Sequence, residues 1–337
     1  MTDLSRRRAA QTLFVGGLAA ACATTPRPRE PIVSINLADT QPPESATGTR
    51  LETAFDEAKR MTVPVKLGSR GPFQFVVDTG ANRTVIGVET AARCSLVPDG
   101  MTPVHGIVGT QPAPLVKVPR LRVGQVQSSN LSLPILPKAA LGADGLLGID
   151  VLRGRRMRLS FARNTFEIGA SGSGPSVNML GGGGGTRIPN RDHGIVVPAQ
   201  YRSGQLVIFD ADVDGIPVRA FLDSGAQITC GNDVLRDTLI RQRPGYDRRM
   251  ADTELISATG QTSSARLAIL PRLRLGGIGL NNIRAAFAPL HIFSLWELND
   301  RPAMLVGIDV LRNFDEVILD FGRREVTFIH ARRQVAG

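Results

Sequence analysis

F-V-V-D-T-G-A at residues 75–81 and A-F-L-D-S-G-A at residues 220–226 are one short pattern met twice in a chain of 337 residues. In each copy an apolar run reads as a buried strand that delivers an aspartate into a Ser/Thr-Gly turn. A single D-[ST]-G triplet arises by chance in on the order of one chain in ten of this length. Two copies, each behind an apolar strand and each followed by alanine, call for a search of the flanking sequence for a longer repeat.

The repeat is there. Pro119-Arg120-Leu121-Arg122-Val123-Gly124 recurs as Pro271-Arg272-Leu273-Arg274-Leu275-Gly276. Leu147-Gly148-Ile149-Asp150-Val151-Leu152-Arg153 recurs as Val306-Gly307-Ile308-Asp309-Val310-Leu311-Arg312, and Met157 to Ile168 matches Glu316 to Ile329. The paired segments keep one order, and the spacing between copies grows from 145 residues at Asp78/Asp223 to 159 at Gly148/Gly307. Extra residues around 236–253 account for the first part of that growth. The chain is therefore read as a duplicated domain. Its texture of short alternating strands and turns predicts an all-β fold.

The expected organisation is an export segment at 1–22, a tether at 23–50, a first lobe at 51–170, a Gly-rich linker at 171–186 and a second lobe at 187–335. Within the tether Pro31 to Leu37 is a candidate strand. Leu51 to Arg60 has a helical pattern, and Val63 to Leu67 with Phe73 to Val77 predicts a hairpin feeding Asp78. In the second copy Ile195-Val196-Val197 opens the lobe. Five glycines at 181–185 invite a phosphate-loop reading, but no Lys-Ser/Thr follows and no strand leads into them, so they read as linker.

The repeated turn carries the chemistry. Two carboxylates a few ångströms apart cannot both ionise, so Asp78 and Asp223 would share one proton. The charged member can then take a proton from a water, while the protonated member hydrogen-bonds the carbonyl under attack. Gly80 and Gly225 would let the two turns approach where a Cβ would clash. The hydroxyls of Thr79 and Ser224 would fix the carboxylates from across the junction. The bland alternative is that both aspartates cap turns, which leaves the other paired features unexplained.

On these residues the chain resembles the retropepsin-like aspartic proteases, with two lobes fused in one chain as in the pepsin-like branch. The family's apolar-apolar-Gly signature is matched by Leu146-Leu147-Gly148 and Leu305-Val306-Gly307. The resemblance implies that this strand lies beneath the aspartate turn, and that a short helix follows at 150–153 and 309–312. It also implies a Gly-containing flap between the motifs, at Pro103 to Thr110 and Ile256 to Thr262. His105, Gly106, Ile107, Thr259 and Gly260 are thereby candidate substrate-covering residues. Retroviral members carry an Asp after D-T-G-A and an Arg after the apolar-apolar-Gly motif, which pair to steady the dimer. Here Asn82 and Gln227 stand at the first positions and Ile149 and Ile308 at the second, so something else replaces that pair, and covalent fusion could make it dispensable. The flaps lack the tyrosine of pepsin-like enzymes, and His105 is expected to be a plain solvent-exposed residue.

Other function classes lack support. Net charge is +10, but the arginines are scattered and no basic run is interleaved with aromatics, so nucleic acid is not an expected partner. His105, His193, His291 and His330 lie far apart without metal-ligand spacing, and no cofactor or metal is expected. No G-x-S-x-G or H-E-x-x-H motif occurs. Cys94 and Cys230 occupy unequal offsets from their aspartates and read as free thiols, although a disulfide is open in an exported protein. Trp296 and the apolar segment 289–298 have no clear counterpart in the first copy and read first as core.

At the amino end Ser5-Arg6-Arg7-Arg8, the short apolar stretch 13–21 and Ala19-Ala20-Ala21-Cys22 read as an export signal. Its start resembles a twin-arginine signal, and its end resembles a lipoprotein box with Cys22 as the lipidated residue. Simple secretion after Ala21 is the alternative. The sequence thus predicts an endopeptidase on the periplasmic side of the envelope, lipid-anchored if Cys22 is modified. It would act as a monomer on an extended peptide. Three competitors remain: a homodimer pairing like lobes, a non-catalytic envelope peptide-binding or scaffold lipoprotein of the same fold, and autocatalytic maturation within residues 25–60.

Overall fold

The computed structural model describes residues 49–171, 194–202 and 204–330. Cys22, the export segment, the tether to residue 48 with its candidate strand, and residues 172–186 of the linker lie outside the described residues. Among the described residues, no helix is long and apolar enough to cross a membrane.

In the first lobe β1 (Thr49–Glu52) and β2 (Ala54–Phe55) lead into the hairpin β3 (Met61–Leu67) and β4 (Arg70–Val77), which delivers Asp78. Next come β5 (Val85–Gly87), α1 (Val88–Arg93), the hairpin β6 (Pro98–His105) and β7 (Thr110–Val123), and β8 (Val126–Leu136). The lobe closes with α2 (Lys138–Leu141), β9 (Gly145–Leu147), α3 (Ile149–Leu152) and the hairpin β10 (Arg155–Ser160) and β11 (Thr165–Ala170). The helical expectation for residues 51–60 fails. Leu51 pairs with Phe166 as an edge strand, and the chain then turns at Asp56, whose carbonyl accepts from the Lys59 N–H while Lys59 takes a positive φ of 61°. Strand pairing across a buried apolar face overrides a weak local helical pattern.

The second lobe repeats the plan. β12 (Gly194–Arg202), β13 (Gln205–Ile208), β14 (Ala211–Val213), β15 (Ile216–Pro217) and β16 (Arg219–Leu222) lead to Asp223. They are followed by β17 (Thr229–Gly231), α4 (Asp233–Gln242), the hairpin β18 (Ala251–Ile256) and β19 (Thr262–Ile269), then β20 (Leu273–Leu275), β21 (Ile278–Leu280) and β22 (Arg284–Phe287). The lobe ends with α5 (His291–Leu295), β23 (Ala303–Val306), α6 (Ile308–Leu311) and the hairpin β24 (Glu316–Asp320) and β25 (Glu325–Ile329). The extra length near residue 236 is α4, ten residues where α1 has six. Its N-cap Asn232 accepts a hydrogen bond from the Leu235 N–H, so the longer helix has its own start signal.

Strand order is the same in both lobes. The first runs β2-β3-β4-β9-β5-β8-β7-β6 and the second β12-β13-β16-β23-β17-β22-β19-β18. In each, the aspartate-bearing strand pairs in parallel with the apolar-apolar-Gly strand, Val77 opposite Leu147 and Leu222 opposite Val306. α2 and α5 stand at equivalent points, so the apolar segment 289–298 does have a counterpart in the first lobe, merely shorter and unlike in sequence. Trp296 is buried and stacks on Phe221, ring centroids 4.1 Å apart.

The lobes are joined by a six-stranded layer in the order β1-β11-β10-β24-β25-β12. β10 and β24 meet antiparallel at its centre, with Met157 opposite Leu319 and Leu159 opposite Val317. These four side chains are fully or almost fully buried and belong to one core that includes residues of both lobes. The layer begins at Thr49, two residues inside the stretch read as tether.

Candidate active site

Strands β4 and β16 end side by side. The Asp78 N–H donates to the Leu147 carbonyl and the Asp223 N–H to the Val306 carbonyl, both at 3.0 Å. The apolar-apolar-Gly strand thus pins each aspartate at the same height. Each carboxylate is held from its own turn: Asp78 Oδ1 accepts from the N–H groups of Gly80 and Ala81 at 2.9 Å. Asp223 Oδ1 accepts from Gly225 at 2.8 Å and Ala226 at 3.1 Å. Both aspartates are buried, and each carboxyl lies against the glycine of the opposite turn.

The turns interlock through their hydroxyls. Thr79 Oγ1 donates to the Leu222 carbonyl at 2.9 Å and accepts from the Ser224 N–H at 3.0 Å. Ser224 Oγ donates to the Val77 carbonyl at 2.6 Å and accepts from the Thr79 N–H at 3.2 Å. Every bond has its twin from the opposite lobe. The glycines are required by this approach: a Cβ on Gly80 would overlap the Asp223 carboxyl, and one on Gly225 the Asp78 carboxyl.

Burial raises the pKa of Asp78, against lowering by the Ala81 N–H and the Arg60 guanidinium. Asp223 is pushed well above the usual carboxylate range, first by burial and then by the charge of Asp78. The pair therefore retains one proton over a range in which a solvated pair would retain none.

A second layer holds the turns from behind. Asp150 accepts from the N–H and hydroxyl of Thr84 at 3.0 and 2.6 Å, and Thr84 Oγ1 accepts from the Gly148 N–H at 3.0 Å. Asp309, Thr229 and Gly307 make the same arrangement at 2.9–3.1 Å. The threonines are absent from the sequence-based candidates, although each lies six residues beyond its aspartate. That shared spacing is the signal that could have found them.

Arg60 and Gln205 are also absent from the candidates. The Arg60 guanidinium is bonded to Asp56 at 2.6–2.7 Å and to the Leu141 carbonyl at 2.5 Å. It reaches the carbonyl of Gly225 at 3.2 Å. Gln205 Nε2 donates to the carbonyl of Gly80 at 2.9 Å and to Asn82 Oδ1 at 3.1 Å. These contacts stand where the sequence anticipated a substitute for the missing ion pair.

Both expected flaps are hairpins, and their tips meet. Gly106 lies against the Ser257 hydroxyl, Gly109 against the Gln261 amide, and Gln111 Nε2 donates to the Thr259 carbonyl at 2.7 Å. Gly260 forms the tight turn of the second tip with a φ of 83°. The Ile107 carbonyl accepts from the Ile292 N–H at 3.4 Å. Each tip packs on the opposite lobe: Val108 joins the cluster of Phe221 and Trp296, and Ala258 joins that of Val76 and Leu146. His105 is exposed, as expected, and has partners that the sequence did not indicate. Its Nδ1 lies 3.0 Å from His291 Nε2 and 2.9 Å from the Thr110 hydroxyl. The long sequence separation of the two histidines concealed this, because the β6–β7 tip crosses to α5.

Cys94 and Cys230 are free, and burial pushes the Cys230 thiol up to about 12. Among the described residues no group of three or more His, Cys, Asp or Glu side chains could hold a metal ion.

No curated protein matches the chain. Two family models do. A gag-polyprotein putative aspartyl protease model matches residues 63–154, and an aspartyl protease model matches residues 209–310. The first match holds Asp78 and the flap 105–110; the second holds Asp223 and the flap 256–262. The chain therefore carries two aspartyl protease family domains in tandem, one to each lobe, as a retropepsin-like two-lobe member of the aspartyl proteases.

Proposed function

We propose that this chain is an aspartic endopeptidase whose single dyad is Asp78 and Asp223. The observation that carries the reading is the pair of buried carboxyls at the end of two interlocked turns, each against the opposite turn's glycine, in a chain whose two flap hairpins meet at their tips. The ionised carboxyl takes a proton from a water, whose oxygen attacks the peptide carbonyl carbon. The protonated carboxyl gives its proton to the carbonyl oxygen, yielding a neutral gem-diol. Collapse of the diol breaks the C–N bond; its hydroxyl proton returns to the pair and a proton passes from the pair to the departing amine. Thr79, Gly80, Ser224 and Gly225 orient the carboxyls. Flap backbone at Gly106, Ile107, Thr259 and Gly260 would cover an extended peptide bound in strand fashion.

The test is Asp78→Asn and Asp223→Asn made separately and assayed on a denatured protein. Each alone should reduce cleavage by at least ~10³-fold, since one carboxyl cannot serve as both acid and base. Full activity in either variant defeats the shared site. Because one pKa of the pair is raised by burial and by its neighbour, kcat/KM should follow a bell whose basic limb lies above the range of a solvated carboxylate.

We further propose that the protein is exported and anchored through a lipid on Cys22, on the strength of the basic, apolar and Ala-Ala-Ala-Cys series at 5–22. Palmitate labelling of the expressed protein, lost in Cys22→Ala, is the expected result; labelling that persists in that variant counts against it.

A further inference from the structure

Arg60 and Gln205 stand 145 residues apart, the same spacing as Asp78 and Asp223 and as Gly80 and Gly225. Arg60 stands just before β3 and Gln205 opens β13, its counterpart in the strand order, and each reaches across to the opposite turn, onto the carbonyl of that turn's glycine. The two contacts are thus twins of the duplication. They differ in one respect: one is a cation and the other a neutral amide. All other twin contacts at the junction, from the hydroxyl pair to the threonines behind the turns, pair like with like.

We propose that Arg60 is a positioning residue that makes the halves of the site unequal, holding Asp78 as the ionised carboxylate and leaving the shared proton on Asp223. The inference rests on the dyad reading above and names the base and the acid within it. Arg60 binds the carbonyl of Gly225, the glycine that lies against the Asp78 carboxyl, which sets the guanidinium one residue from Asp78. Arg60 meets the buried Asp56 carboxylate through Nε and Nη2 and Gly225 through Nη1, so the edge of the guanidinium that Asp56 leaves free is the one at the dyad turn. Consistent with this, the guanidinium is among the chief influences that lower Asp78, and the chief influences on Asp223 include no cation. Behind Asp223 the other titratable groups are Cys230, a neutral thiol by burial, and Asp309, whose carboxyl burial raises. Neither supplies a positive charge.

The experiment uses the full chain with ¹³C-labelled aspartate carboxyls, titrated by NMR. The Asp78 midpoint is read in Asp223→Asn and the Asp223 midpoint in Asp78→Asn, so that neither carboxyl feels its partner's charge. Asp78 should titrate lower by about one pH unit or more, the size of effect an adjacent cation produces. In the background Asp56→Asn/Arg60→Gln, which removes the cation without stranding a buried carboxylate, the gap should close. In Arg60→Lys it should persist. Equal midpoints in the first comparison, or a gap that survives loss of the cation in a chain still folded by circular dichroism, overturns the proposal. This readout needs no turnover, so an inactive wild-type chain would sink the hydrolase reading while leaving the assignment standing. In an active enzyme, the acid limb of kcat/KM should move to higher pH in Asp56→Asn/Arg60→Gln.

Discussion

Asp223 is costly to ionise, and that cost falls on the fold. Burial and the Asp78 charge raise its pKa above the value of about 3.9 that an unfolded chain gives. A carboxyl raised in this way contributes stability below the unfolded value and loses it as pH climbs through the folded one. At pH 7, above the unfolded value, the wild-type chain has lost part or all of that contribution, whereas Asp223→Asn stays neutral at every pH. The variant should therefore melt several degrees higher than wild type at pH 7, with about 1.4 kcal/mol for each unit of elevation. The advantage should shrink as pH falls to 3–4. Calorimetry at both pH values checks it, and a variant no more stable at pH 7 would contradict the burial argument. Asp78, Asp223 and their hydroxyl and glycine neighbours were legible because strand, acid, hydroxyl and glycine are contiguous in the chain. Arg60 and Gln205 were not, since their partners lie 165 and 125 residues away and the twins are different residue types.

The two hairpins β6–β7 and β18–β19 are tethered unequally. Their tips touch through Gly106 and Ser257, and each packs on the other lobe, but only the first is also tied by a histidine pair to α5. His105, His291 and the Thr110 hydroxyl form a closed triangle with edges of 2.9–3.0 Å. A typical side-chain hydrogen bond adds about 1 kcal/mol, so His291→Ala should raise the opening frequency of the first tip roughly fivefold. Hydrogen exchange of the amides at 105–110 measures this, with 256–262 changing less; equal acceleration of both, or of neither, would show that the histidines do not tether the tip. The position of both hairpins was legible from their glycines and their place between the repeated motifs. Their mutual contact was not, because pairing between hairpin tips leaves no periodicity in either segment. The strands at 51–60 were misread for a related reason: what orders them is the partner Phe166, not their own pattern.

Duplication would also let one chain suffice for the proposed site. β10 and β24 cross at the pseudo-twofold centre, where Glu316, itself buried, receives Arg158 at 2.7 Å as well as Arg163. Met157, Leu159, Val317 and Leu319 fill one core from both sides, so neither lobe can bury its own half of the layer without the other. Two carboxyls on separate chains would be brought together at the expense of association entropy, and the site would dissolve on dilution. Here the covalent link holds the effective concentration of one lobe about the other fixed. Specific activity should therefore stay constant from micromolar down to about nanomolar enzyme, and sedimentation should give a mass near 36.1 kDa or less if the leader is removed. A mixture of Asp78→Asn and Asp223→Asn chains should remain as inactive as either alone, because no exchange of lobes can rebuild a complete pair. Activity that falls with dilution, or that returns on mixing, would mean that lobes pair between chains and that the contacts across β10 and β24 do not define the working unit.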